Sequence, residues 1–212
     1  GIAGEFGHMQ VVPDGLRCEC GNRGCWEQYS SGNALVREAR TLLLANSPVA
    51  DDLRARVGGD PALLTGPLVT EAAQAGDRTA IELLADVGRW LGVGIANLAA
   101  AFDPGVFVIG GGVSAAGELL LGPARETYRR QLTGRGYRPE AKIVAAQLGN
   151  DAGVIGAADL ARVEAQPEVL AEASAPSADG GTLEVVTSAE SAEATSHPGA
   201  RRAKWWRRRH TD

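Results

Sequence analysis

All three cysteines of the chain fall within eight residues, Cys18-Glu19-Cys20-Gly21-Asn22-Arg23-Gly24-Cys25, and His8 stands ten residues before the first of them. The pattern His-x9-Cys-x-Cys-x4-Cys offers three thiolates and an imidazole, a donor set that matches a tetrahedral Zn²⁺ site. Gly21 and Gly24 allow the tight turns that would bring the sulfurs onto one ion. Residues 1–8 show no basic stretch followed by an apolar one of the kind that directs secretion, so a bound metal is favoured over a disulfide with one cysteine left over. With four protein ligands the zinc would be structural and its coordination closed. Ordinary free thiols in a turn are the alternative.

Two carboxylates bracket this set. Glu5 lies three residues before His8 and Glu27 two residues after Cys25. A metal that draws His8 and Cys25 together would bring both acids along. Paired carboxylates and an imidazole are suited to hydrogen bonding with the vicinal hydroxyls of a sugar, and His8 can bind a metal through one ring nitrogen while presenting the other. Spacing alone leaves open that Glu5 and Glu27 are solvated surface acids.

The elements that must hold these residues read as α/β. Residues 31–45 carry Leu35, Ala39, Leu42 and Leu43 at helical spacing, closed by Ser47-Pro48. A loop is expected next, then a helix over 67–75. Asp77 is a plausible N-cap for a long helix in which Ile81, Leu84, Val87, Leu91, Ile95, Leu98 and Phe102 recur every three or four residues, ending at Asp103-Pro104-Gly105. The apolar run 106–109 fits a buried strand, stopped by Gly110-Gly111-Gly112 and followed by a helix over about 116–131. Residues 143–146 fit a second buried strand, and 151–162 an Ala-rich final helix.

Charge divides the chain further. Residues 1–164 hold 15 basic and 19 acidic side chains, so no overall basic field would draw nucleic acid to them. The segment 165–212 reads as a low-complexity, disordered tail: 165–196 has six acidic and no basic residues, and 197–212 has six basic and one acidic. Its end, Arg201-Arg202-Ala203-Lys204-Trp205-Trp206-Arg207-Arg208-Arg209, could contact anionic lipid or single-stranded nucleic acid, although a solvated terminal tail is the reading preferred. The longest apolar candidate, 91–102, is 12 residues and contains Asn97, so no membrane span is expected. The absence of an initiator Met at the start reads as a segment of something longer.

Gly4-Glu5-Phe6-Gly7-His8, followed by Cys18-x-Cys20-Gly21-x-x-Gly24-Cys25-Trp26-Glu27-x-Tyr29-x-Ser31-Gly32, resembles the signature of the repressor/open-reading-frame/kinase (ROK) family, and within it the bacterial glucokinases of actinobacterial type. The likeness continues through Phe102-Asp103-Pro104 and Phe107-Val108-Ile109-Gly110-Gly111-Gly112-Val113 to about residue 163. It implies a ribonuclease-H-like fold of the sugar-kinase/actin superfamily. It also implies sugar contacts at Glu5, His8 and Glu27, zinc ligation by His8, Cys18, Cys20 and Cys25, and nucleotide contact at Gly110, Gly111 and Gly112. By itself the glycine triplet is weak, since many α/β turns are built the same way without a ligand.

The family's Asp-x-Gly-x-Thr motif, its catalytic Asp and its second Gly-rich phosphate loop lie before Glu-x-Gly-His and are not found in this sequence. The catalytic base is therefore expected upstream of Gly1. The resemblance thus implies that residues 1–164 are the C-terminal sugar- and nucleotide-binding domain of an ATP-dependent hexose kinase, with no catalytic residue of its own and no activity alone. Expected with it are glucose or a related hexose, ATP with Mg²⁺, a homo-oligomer and a cytoplasmic location. Two rivals are a sugar-responsive repressor of the same family and a bare zinc-binding interaction module, which would need neither the acids nor the glycines.

Overall fold

The structure, a computed structural model, describes residues 4–164. The acidic and basic tail expected to be disordered lies outside the described residues. So does Gly1, the position upstream of which the catalytic base is expected. Helix α1 (Gly32–Leu44) starts where Ser31 accepts a hydrogen bond from the Ala34 amide, and it buries Ala34, Leu35, Ala39 and Leu43 on one face. The stretch expected to be a loop contains a short helix, α2 (Asp51–Arg56), which buries Leu53. Six residues are too few to show periodicity. The aspartates of its first turn and the arginines of its last suit the helix dipole.

Helix α3 (Gly66–Gln74) is capped by Thr65 and α4 (Arg78–Phe102) by Asp77, whose Oδ1 accepts from the Ala80 amide at 2.8 Å. The 25 residues of α4 end in a left-handed Asp103, φ 46°, ahead of Pro104. By length and hydropathy α4 is apolar enough to cross a bilayer, a possibility that the 12-residue apolar run did not raise. The fold uses it as the central core helix, with Leu84, Val87, Leu91, Ile95, Ala96 and Ala99 buried.

Strand β1 (Val106–Ile109) and strand β2 (Lys142–Ala145) pair in parallel, Val106 opposite Lys142 and Ile109 opposite Ala145. They are joined through α5 (Glu118–Gln131), as a parallel pair requires a crossover. The Arg125 guanidinium donates to the Ile143 carbonyl and ties α5 to β2. Helix α6 (Ala152–Glu164) follows. The α/β expectation holds in this βαβ unit, but the strands are not buried as expected. Val106 and Val108 are 48% and 61% exposed, and of β2 only Ile143 is buried. Their sequence is apolar on both faces, whereas the described residues cover one face.

Glycines set the contact between α4 and α5. A Cβ on Gly88 would lie 2.4 Å from the Leu120 carbonyl oxygen, and one on Gly92 equally close to that of Ala124. The backbones of α4 and α5 meet there without side chains between them.

Candidate functional site

The four sulfur and imidazole donors converge. The ligand atoms of His8, Cys18, Cys20 and Cys25 all lie within 4.8 Å of one another. A tetrahedral zinc site with Zn–S bonds of about 2.3 Å has S···S edges of about 3.8 Å. The Cys20 and Cys25 sulfurs are 3.6 Å apart, as are the Cys18 Sγ and the His8 Nδ1. Donor chemistry and spacing both fit such an ion.

Backbone bonds shape this loop before any ion does. Val11 and Val12 amides both donate to the Gly24 carbonyl, the Gly24 amide donates to the Leu16 carbonyl, and the Cys18 amide to that of Asn22. Gly24 has φ +74°, and a Cβ there would sit 1.6 Å from the Val12 carbonyl oxygen, so no other residue fits. Gly21, at φ +96°, has open space around it and is needed for its backbone angle only.

The thiols differ. Cys18 is pushed up to about 12, chiefly because its thiol donates to the Glu27 carboxylate at 3.0 Å. Burial pushes Cys25 up, and the backbone amide of Asn22 beside Cys20 pulls that thiol down.

Glu27 is the link between the cysteines and the flanking acids. Its Oε1 is 3.4 Å from the His8 Nδ1, and both side chains remain about one third exposed. The short 3-10 turns Phe6–His8 and Trp26–Gln28 lie against each other, with the Trp26 amide donating to the Met9 carbonyl at 2.8 Å. A Cβ on Gly7 would be 3.5 Å from the Glu27 Oε2, an ordinary contact distance, so Gly7 lies directly beside that carboxylate. Glu5 opens the first turn, its carbonyl accepting from the His8 amide, and its exposed carboxylate forms no hydrogen bond among the described residues. His8 and Glu27 are thus brought into contact, and Glu5 is placed one turn away.

The glycine triplet lines a separate cleft of about 400 Å³ with Ser31, Gly32, Asn33, Gly66 and Val113. Gly111 has φ +87° and ψ +169°, a region open essentially to glycine alone. Glu27 lines a second cleft of about 760 Å³, together with Gln28, Arg37 and Arg40. Ser31, Asn33 and Val36 border both, so the start of α1 separates the carboxylate side from the glycine side. Of these three, sequence reasoning placed Ser31 in the signature and left out Asn33 and Val36. An N-cap followed by a polar first turn was the available signal.

The ROK family model matches residues 1–164. The glucokinase of Streptomyces coelicolor is 49% identical over 162 residues, covering 76% of this chain and 51% of that protein. The crystal structure of a ROK family glucokinase from Streptomyces griseus, in complex with glucose and AMPPNP, superposes with a TM-score of 0.71 at 51% identity, covering 76% of this chain and 52% of that one. The DNA-binding transcriptional dual regulator NagC of Escherichia coli is 34% identical over 148 residues, 70% of this chain and 34% of its own length. The chain spans about half the length of the glucokinases it matches. The chain therefore has a ROK sugar kinase fold of the actin-like ATPase superfamily, and it belongs to the ROK family.

Proposed function

We propose that residues 1–164 are the C-terminal, sugar-orienting domain of an ATP-dependent hexose kinase that converts glucose to glucose 6-phosphate, and that 165–212 is an appended tail. The observation that carries this reading is the contact of the Glu27 carboxylate with His8 beside the cysteine cluster, in a chain about half identical to two glucokinases. Glu27 and Glu5 accept hydrogen bonds from sugar hydroxyls, and His8 adds the ring nitrogen that faces away from the sulfurs. Zinc held by His8, Cys18, Cys20 and Cys25 supplies folding free energy to the loop and fixes the imidazole. The cleft at Gly110, Gly111 and Gly112 takes the nucleotide, where bare backbone allows a close approach. The base that receives the proton of the 6-hydroxyl lies upstream of Gly1, in the half of the kinase that this chain does not span. Mg²⁺ accompanies ATP with no ligand assigned among the described residues. A homo-oligomer in the cytoplasm belongs to the same reading.

A coupled assay of the full-length kinase with glucose, ATP and Mg²⁺ tests it. The expected turnover is about 1 to 100 per second. The second reading, a sugar-responsive repressor, is supported by the 34% identity to NagC and falls behind on that figure. Sugar-dependent DNA binding without phosphorylation would decide in its favour.

A further inference from the structure

We infer that Trp26 is a positioning residue for the Glu27 carboxylate and that Gly94 of α4 is its socket. Trp26 is covalently adjacent to both Cys25 and Glu27. Its indole Nε1 donates to the Trp90 carbonyl of α4 at 2.7 Å. A Cβ on Gly94 would fall 2.0 to 2.4 Å from three atoms of the indole ring, so the ring lies on bare helix backbone. Glycine weakens a helix interior, and here the vacant space is filled by the indole. The following residues continue along the same helix: Ser30 Oγ donates to the Val87 carbonyl, and the Tyr29 ring packs 4.8 Å from that of Trp90.

This anchor matters because Glu27 has little else to hold it. Among the described residues its carboxylate meets only Cys18 and His8. An ion bound by the Cys18 sulfur and the His8 Nδ1 would engage both of those partners. The direction of Glu27 is then set by its backbone, and that backbone is fixed through Trp26.

The sugar readout of the test rests on the hexose reading. In the full-length kinase, Gly94→Ala is expected to weaken glucose binding, measured calorimetrically without ATP, by about tenfold or more, since small misplacements of orienting groups are costly. Zinc stays at one per chain and the KM for ATP changes less than twofold. Trp26→Leu weakens glucose binding in the same direction by about fivefold or more, and it carries the test if Gly94→Ala yields no folded protein. In the Trp26→Leu background Gly94→Ala adds less than twofold, because the clashing ring is gone. Unchanged glucose affinity in the single variants, additive effects in the pair, or loss of zinc together with sugar affinity would each overturn the inference. Gly94→Ala must also expose an indole to acrylamide quenching in the 212-residue chain. That measurement needs no sugar: a wild type that binds no hexose sinks the kinase reading, whereas an unchanged quenching sinks the socket.

Discussion

Glu27 receives the Cys18 thiol on Oε1 and leaves Oε2 beside Gly7, so charge and acceptor capacity are both available at one exposed edge. Replacing it by Gln keeps the shape and removes the charge. On the proposed reading, glucose affinity of the full-length protein should fall by about 1.5 to 3 kcal/mol, the range for a charged hydrogen bond, and titration calorimetry reads it directly. An unchanged affinity would remove Glu27 from the sugar site. Gly24 makes a different demand, because its positive φ and the Val12 carbonyl both exclude a side chain. Gly24→Ala should therefore destabilise the domain by about 2 to 4 kcal/mol, combining backbone strain with a clash, and thermal unfolding of the whole chain would show it. A change within error would mean that the loop can re-form around an alanine.

At the scale of elements, α4 holds three separate partners on three sets of positions. Its buried leucines and alanines face the core, Gly88 and Gly92 meet α5, and Gly94 meets Trp26. Positions 88 and 92 are one turn apart and so lie on one stripe. Because α5 runs between β1 and β2, the α4 contact also supports the strand that leads into the glycine triplet. Gly92→Ala must push α5 outward against the Ala124 carbonyl. The expected cost is about 1 to 3 kcal/mol, as for overpacking, measured by denaturant unfolding. If Gly92→Ala is instead stabilising, as an alanine in an unobstructed helix would be, the close approach of the two backbones is wrong.

For the molecule as a whole, the proposed zinc and the half of its relatives' length that the chain does not span define two further outcomes. Protein purified without added zinc should carry one ion per chain, and chelation should lower the thermal midpoint, because a structural metal contributes folding free energy directly. A stoichiometry near zero with all three thiols freely titratable would end that assignment. The 212-residue chain assayed by itself should phosphorylate no hexose. Its described residues can orient hydroxyls, yet Asp103 caps α4 and pairs with Arg138, Asp151 lies just ahead of α6, and neither aspartate bonds to Glu27 or His8 among the described residues. Orientation without an aligned proton acceptor leaves most of the barrier in place. Turnover within tenfold of an ordinary kinase rate, about 1 to 100 per second, would overturn this division of labour.

Local chemistry was legible in the amino-acid order. The cap at Asp77, the period of α4, the Asp103-Pro104 stop and the glycine turn after β1 each depend on residues within a few positions of one another. The convergence of His8 with three cysteines was equally readable, since the four donors span only 18 residues with two permissive glycines among them. Helix α2 was too short to show a period, and the exposure of Val106 and Val108 depends on what covers the sheet, which an apolar run cannot specify. The seating of Trp26 on Gly94, the closeness of α4 to α5, and the sharing of Ser31 and Asn33 between two clefts were decided by tertiary structure alone. A glycine inside a helix marks a missing side chain in the sequence, but which distant group fills the space is fixed only when the chain packs, because that contact joins residues 68 positions apart through bare backbone.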